Sequence, residues 1–231
     1  MKKYILITIA ILLSFFCVER CYSEIKISKS SKWQQSQFVQ HKYFSLSYVE
    51  EIEQAEWVYY ELTAEETKDN VKRKDCFRGD NSIITGSALP SDYVKSGYHK
   101  GHLANCDDFL FSSEAMRESF LMSNISPQLP KLNCGGAWRQ AEKLGETLSL
   151  QIGKIEIVTG TFFSEYETPK YIGRKNKVRI PTGFWKIFYS KENNILLCYI
   201  FLQSEIKNNL ALCKADITLI EHLTGLSFLF E

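Results

Sequence analysis

Short runs of apolar, β-branched and aromatic residues lie in the first and last thirds of the chain, and this pattern predicts strands. The predicted strands cover residues 44–48, 57–62, 155–161, 184–189 and 195–202. Apolar residues at helical spacing predict helices over 112–120, 136–148 and 216–224, with Ser113 and Asp216 as candidate N-caps. A further short strand is predicted over 121–126, ended by Pro127. This order predicts an α+β fold with a mainly antiparallel sheet.

The N-terminus has the pattern of a secretory signal peptide. Lys2 and Lys3 precede an apolar run over residues 4–18, and small residues follow near Ser23. An uncleaved anchor is the alternative, but the run is shorter than the roughly 20 residues that span a bilayer. We therefore predict cleavage after Ser23, a single domain over residues 24–231, and a secreted or periplasmic protein without stable membrane association. Residues 24–42 are polar, which predicts a loose lead-in.

Composition and charge narrow the possible function classes. Aromatic residues make up 13% of the chain, which excludes a disordered polymer and favours a packed, sheet-rich core. Without residues 1–23 the chain has 25 basic and 26 acidic residues, so it is not a polycation. Any nucleic-acid binding must use local positive charge. Residues 65–80, with Lys72, Arg73, Lys74 and Arg78, are either a solvated loop or a phosphate-facing basic patch.

Five cysteines remain after the predicted cleavage: Cys76, Cys106, Cys134, Cys198 and Cys213. An exported protein meets an oxidising compartment, so one or two disulfides are expected. Because the count is odd, at least one thiol is left over or pairs between chains. The sequence leaves the pairing open, as it does the choice between a monomer and a homodimer.

The candidate chemistry lies between Tyr98 and Glu142. His102 is a candidate general base, because a neutral imidazole titrates near pH 6.5. Asn124 and Asn133 offer neutral oxygens of the kind that Mg²⁺ accepts, and Glu142 could hold a water of that ion. The alternatives are a structural histidine, turn asparagines and a solvated glutamate.

A second metal hypothesis is zinc. His99, His102 and Cys106 have ligand-like spacing. In an extended segment, however, residues three apart point to opposite faces, and the chain has no CxxC pair to complete such a site.

The whole pattern resembles the DNA/RNA non-specific endonucleases, whose ββα-metal (His-Me finger) fold has a central sheet flanked by helices. The likeness follows the family's order over nearly all of the predicted mature chain. The matching segments are Asp92-Tyr93, Gly101-His102-Leu103-Ala104, Ser123-Asn124, Pro127-Gln128, Asn133, Trp138 and Glu142.

The resemblance implies hydrolysis of phosphodiesters in DNA and RNA with one hydrated Mg²⁺, for which Mn²⁺ is a possible substitute. It implies that His102 is the general base and that Asn133 ligates the metal directly. It further implies that Glu142 holds metal-bound water and that Asn124 steadies the site by hydrogen bonds. Lys100 stands where the family has an arginine facing the phosphate.

Three departures from the family pattern bear on activity. The family's Asp-Arg pair is His99-Lys100 here, and its Pro-Ala pair is Asn105-Cys106. One extra residue precedes Trp138. A relative that has lost catalysis and only binds nucleic acid or a partner is therefore the second hypothesis. Cys106 and Cys134 flank the two arms of the motif, and a disulfide between them is a further hypothesis.

Overall fold

A seven-stranded antiparallel sheet forms the centre of the molecule. The structure is a computed structural model that describes residues 25–231, so the predicted signal peptide lies outside the described residues. The strands are β1 Ile25–Ile27, β2 Gln37–Gln40, β3 Ser45–Val49, β4 Gln54–Thr63, β5 His99–His102, β6 Ile125–Gln128, β7 Lys154–Phe162, β8 Tyr171–Ile172, β9 Val178–Arg179, β10 Gly183–Ser190, β11 Ile195–Leu202, β12 Lys214–Ala215 and β13 Phe228–Phe230. The strand order in the large sheet is β12-β11-β10-β7-β4-β3-β2. The helices are α1 Ser113–Ser119, α2 Pro130–Asn133, α3 Gly136–Ile152 and α4 Ile217–Thr224.

Both faces of the central strands are covered, which explains their nearly continuous apolar sequences. On one face, Ile157 and Phe188 pack with Trp138 and Ala141 of α3. On the other face, Trp185 and its neighbours pack against Ile220 of α4 and against the β1–β13 pair. Every residue of β10 is buried as a result, and the predicted α+β class with a mainly antiparallel sheet is confirmed.

Local capping chemistry sets the helix ends. Ser112, and not Ser113 as predicted, is the N-cap of α1, because its hydroxyl accepts a hydrogen bond from Ala115 N–H. Asp216 accepts one from Thr218 N–H and begins α4, which ends at Gly225 with φ of +71°. The α3 helix begins at Gly136 as predicted and continues to Ile152, four residues past the predicted end. No helix of residues 25–231 has the length and apolar character needed to cross a membrane.

Two sequence expectations about elements are wrong. Residues 24–42 are not a loose lead-in throughout, because β1 and β2 form there and pair with β13 and β3. The strand predicted over 121–126 begins only at Ile125, after a 3₁₀ turn over Met122–Asn124, and Pro127 does not end it but lies inside β6, opposite Lys100. A two-stranded hairpin tolerates this proline, because its missing N–H removes no bond when it faces away from the partner strand.

Candidate active site

The candidate site is built on the β5–β6 hairpin and the helices that follow it. His99 pairs with Gln128, and His102 pairs with Ile125. Gly101 lies where the Gln128 side chain crosses the hairpin. An added Cβ there would be 2.1 Å from Gln128 Oε1, so the crossing requires glycine. The helices α2 and α3 come directly after the hairpin and carry Asn133 and Glu142.

His102 is buried in an aromatic pocket, with 7% of its surface exposed. Its ring centroid is 4.8 Å from that of Phe120 and 5.5 Å from that of Phe77. Its Nε2 has no hydrogen-bond partner among residues 25–231. Burial, assisted by the nearby Arg73 charge, lowers the pKa of His102 to about 3. The imidazole is therefore neutral at ordinary pH but a weaker base than free imidazole, so its candidacy as proton acceptor rests on the unpaired Nε2.

Two cations lie close to this pocket. Lys100 Nζ is 4.9 Å from the centroid of the Phe77 ring, and Arg73 Cζ is 5.5 Å from that of Phe120. These two rings are the ones that contact His102. Part of the 65–80 segment therefore places positive charge beside the candidate base, which favours the phosphate-facing interpretation over a purely solvated loop.

Asn124 is fully buried and hydrogen-bonded through both ends of its amide. Its Oδ1 accepts from Ala104 N–H at 2.8 Å, and its Nδ2 donates to the carbonyls of Ala104 at 3.0 Å and Ser119 at 2.9 Å. Leu103 N–H also donates to the Asn124 carbonyl. Asn124 therefore ties the segment after His102 to the start of β6, and holds the base through the backbone.

Glu142 lies on the buried side of α3. Trp138 Nε1 donates to its Oε1 and Arg139 Nη1 donates to its Oε2, each at 3.0 Å. Burial raises the pKa of Glu142, while the charges of Lys186 and Arg139 act against that rise. Each carboxylate oxygen already accepts a hydrogen bond from a strong donor. The remaining lone pairs can accept a hydrogen bond from water more readily than they can ligate an ion directly.

Asp107 interacts with Arg73, which lies near His102, and with Arg139, which contacts Glu142. Asp107 was not identified from the sequence. Its carboxylate is 2.8 Å from Arg139 and 3.8 Å from Arg73. Its charge raises the pKa of both His102 and Glu142, so it lies within electrostatic range of both residues. A cleft of about 270 Å³ beside Asp107 is lined in part by Glu142. The sequence feature that could have identified Asp107 is its position just after the histidine motif.

A buried charged layer lies beneath this cleft. Tyr60 Oη donates to Asp108 at 2.6 Å, and Asn105 Nδ2 donates to it at 3.0 Å. Lys186 is also buried, and its Nζ donates to Thr159 Oγ1 at 2.6 Å. Burial raises the pKa of Asp108 and lowers that of Lys186. Lys186 is thus a buried cation that interacts with the acidic groups above it. The sequence did not indicate this role, because Lys186 stands in an apolar strand.

Asn133 ends α2 and reaches the first residue of the hairpin. Its Nδ2 is 3.2 Å from His99 Nδ1. The structure therefore brings Asn133 to the His99 end of β5, while Glu142 belongs to the Asp107 cleft. Asn133 is half-buried, and its amide is available at the surface.

Two hypotheses about the cysteines and zinc are wrong. All five cysteines of residues 25–231 are free thiols, so neither the expected one or two disulfides nor the Cys106–Cys134 pair forms. Cys106 is buried and its thiol donates to Asp107, whereas Cys134 is exposed beside His99. Within the described residues, no three His, Cys, Asp or Glu side chains are placed to hold a metal. The trio of His99, His102 and Cys106 therefore does not form a zinc site.

The residues present fit a hydrated Mg²⁺ better than an ion enclosed by protein ligands. Mg²⁺ keeps several waters and commonly takes only one or two protein oxygens. Asn133 can offer one amide oxygen, and Glu142 can accept hydrogen bonds from water. His102, whose Nε2 is unpaired, lies at the opposite end of β5 from His99, the residue that Asn133 approaches.

Comparison with known proteins identifies the class that this fold and site define. A family model described as DNA/RNA non-specific endonuclease matches residues 22–230. The chain belongs to this family. Human mitochondrial endonuclease G is 34% identical over 141 residues, which are 57% of this chain and 47% of that protein. A nuclease of Nostoc sp. is 29% identical over 202 residues, 80% of this chain and 70% of that protein.

Other relatives and a solved structure agree. Mouse mitochondrial nuclease EXOG is 31% identical over 159 residues, covering 64% of this chain and 43% of that protein. The chain thus spans about half the length of the mammalian mitochondrial relatives that it matches. A structure of the EndoG/EndoGI complex superposes with a TM-score of 0.75 at 26% identity, covering 84% of this chain and 85% of that one. The expected ββα-metal nuclease fold is confirmed.

Proposed function

We propose that this protein is an exported endonuclease that hydrolyses phosphodiester bonds of DNA and RNA with Mg²⁺, for which Mn²⁺ can substitute. The observation that carries the proposal is the neutral, buried imidazole of His102, which has an unpaired Nε2 beside Lys100 and Arg73. A general base next to two cations suits the attack of water on a phosphodiester. Export is supported by the pattern of residues 1–23.

The roles of the residues follow from their positions. His102 Nε2 takes the proton of the attacking water, and Asn124 keeps that ring in place through the Leu103-Ala104 backbone. Lys100 and Arg73 offset the negative charge that develops on the phosphate. Asn133 would hold Mg²⁺, and Glu142 would hold its hydration shell; the bound ion would act as a Lewis acid at the leaving oxygen. Contacts to phosphate carry no base identity, which accords with cleavage of both DNA and RNA.

The test is cleavage of supercoiled plasmid and of a long RNA by purified residues 24–231. We expect both to be degraded with Mg²⁺ or Mn²⁺ and to be stable with EDTA. His102→Ala should reduce the rate by about 10²–10⁴-fold, the usual contribution of general acid–base catalysis, with an unchanged circular dichroism spectrum. His222→Ala, an exposed histidine on α4, is the matched control and should cut at the wild-type rate. Equal cleavage by His102→Ala and wild type would refute the role of His102.

A binding protein without catalysis is the second candidate. His99 replaces the family's aspartate, and its imidazole lies 3.2 Å from the amide of Asn133, the proposed metal ligand. Unchanged DNA binding with no cleavage across Mg²⁺, Mn²⁺ and Ca²⁺ would favour this candidate over the enzyme.

A further inference from the structure

Three side chains meet at the surface where α2 reaches the first residue of β5. Cys134 Sγ lies 3.5 Å from His99 Nδ1, and Asn133 Nδ2 lies 3.2 Å from the same nitrogen. The distance between Asn133 Nδ2 and Cys134 Sγ is 3.9 Å. We call these three residues the thiol–imidazole cluster. It contains the histidine at which the chain departs from its family and the cysteine of the extra-residue turn.

The separation of sulfur and nitrogen matches a chelate of zinc. In a tetrahedral site with Zn–S near 2.3 Å and Zn–N near 2.0–2.1 Å, the two ligand atoms are about 3.5 Å apart. His99 and Cys134 have that separation without any movement. Turning the Asn133 amide over would direct its oxygen, a possible third ligand, toward the same point. Because His99 and Cys134 are exposed, water can complete the coordination.

Both principal ligands are held by backbone structure. His99 is paired with Gln128 in the hairpin. Cys134 is the C-cap of α2, and its N–H donates to Pro130 O at 3.0 Å. The turn continues through Gly136, which has φ of +61° and leaves no room for a Cβ beside Lys207 O. The cluster is thus positioned by rigid elements, which lowers the cost of assembling it around an ion.

We propose that the thiol–imidazole cluster binds Zn²⁺ through Cys134 Sγ and His99 Nδ1. Thiolate and imidazole prefer Zn²⁺ over Mg²⁺, so this site differs in selectivity from the oxygen site of the nuclease. Binding replaces the thiol proton by the metal and releases that proton to solvent. An ion at this point lies against the Asn133 amide. If the proposed nuclease function holds, Zn²⁺ therefore inhibits cleavage by competing for Asn133.

The binding test uses Co²⁺ as a spectroscopic probe of the purified protein under reducing conditions. We expect one equivalent of Co²⁺ to give a thiolate-to-cobalt charge-transfer absorption, which added Zn²⁺ removes by displacement. Cys134→Ser should abolish that absorption. His99→Ala should weaken Zn²⁺ binding at least about tenfold, since even the partners of metal ligands have effects of that size. Zn²⁺ affinity is measured by competition with a chromophoric chelator.

Matched controls separate this cluster from adventitious sites. Cys76→Ser changes a partly exposed thiol elsewhere, and His222→Ala changes an exposed imidazole on α4. Both variants should keep the absorption and the Zn²⁺ affinity of wild type. Persistence of the absorption in Cys134→Ser, or an equal loss in Cys76→Ser, would overturn the proposal.

The inhibition test is independent of the binding test. We expect Zn²⁺ to slow Mg²⁺-dependent cleavage by wild type, and Cys134→Ser to keep its basal activity while requiring at least tenfold more Zn²⁺ for half-inhibition. Inhibition at the same Zn²⁺ concentration in both proteins would refute the competition at Asn133. If the protein cleaves nothing, the nuclease proposal fails, while the cobalt spectrum still decides whether the cluster binds metal.

Discussion

Two buried polar regions lie side by side at the His102 end of the hairpin, and they satisfy their hydrogen bonds in opposite ways. Around Asn124, three hydrogen bonds of 2.8 to 3.0 Å pair the amide with backbone groups. Around His102, aromatic rings surround a nitrogen without a partner in the described chain. A buried unpaired group is destabilising, so the fold is locally less stable at the position where it keeps a reactive nitrogen.

Asn124 and His102 therefore differ in what they contribute to the protein. The Asn124 region stabilises the position of the neighbouring segment, and the His102 region supplies a neutral base. Variants that remove hydrogen bonds from the first region should affect folding, whereas removal of His102 should chiefly affect chemistry.

The largest effect on stability is expected for Asn124→Ala. The change leaves one backbone N–H and two carbonyls without their buried partner, and each unpaired group costs about 1–3 kcal/mol. We expect the free energy of unfolding to fall by roughly 3–5 kcal/mol, measured by urea denaturation. Asn81→Ala, at an exposed turn, is the control and should change it by less than about 0.5 kcal/mol. A similarly small change for Asn124→Ala would remove the contrast between the two regions.

An unpaired buried group outside the site should destabilise the fold without contributing to the chemistry. Glu56 of β4 is 3% exposed; its Oε1 accepts from Ser47 Oγ at 2.7 Å, and its Oε2 has no partner among residues 25–231. Burial raises the pKa of Glu56 to about 7. The folded protein therefore holds this proton more tightly than the unfolded chain, so the contribution of Glu56 to stability is full below about pH 4.5 and is lost as the pH rises to about 7.

Glu56→Gln should consequently stabilise the protein at alkaline pH. We expect the variant to exceed wild type in unfolding free energy by about 2–3 kcal/mol at pH 8, with the gain shrinking toward zero near pH 4. Urea denaturation at pH 4.5, 6 and 8 measures the trend. Glu51→Gln, which removes an exposed carboxylate nearby, serves as the control. A pH-independent difference for Glu56→Gln would mean that packing, and not ionisation, sets its effect.

The sequence predicted well those elements that are determined by local sequence patterns. The β11 strand was predicted with its observed bounds, and α3 with its observed start, because long apolar patterns and a glycine turn define them. The short strands β1 and β2 were missed, since they form only through pairing with β13 and β3. With three and four residues, these strands are too short to show a periodic pattern in the sequence.

The site was predictable to the extent that its residues occur in motifs. His102, Asn124 and Glu142 were predicted from the family motifs, and their roles stay predictions; the charge of Asp107 acts on the first and the last of them. Asp107 and Lys186 were not assigned roles, because their importance depends on three-dimensional approach to residues far along the chain. Arg73 was left between two interpretations, since a basic loop has the same composition whether it faces solvent or phosphate.

The smallest expected effect concerns Lys100, which faces the same side of the hairpin as His102. Its ammonium lies over the Phe77 ring and offers a point charge, whereas arginine presents a planar fork that binds phosphate through two parallel hydrogen bonds. If Lys100 meets the phosphate, Lys100→Arg should raise kcat/KM by about two- to fivefold, equivalent to roughly 0.5–1 kcal/mol of transition-state stabilisation. Lys131→Arg, an exposed change on α2, should leave kcat/KM unaltered and serves as the control. A lower rate for Lys100→Arg would show instead that the pocket around Phe77 is shaped for lysine, and that phosphate recognition rests on Arg73.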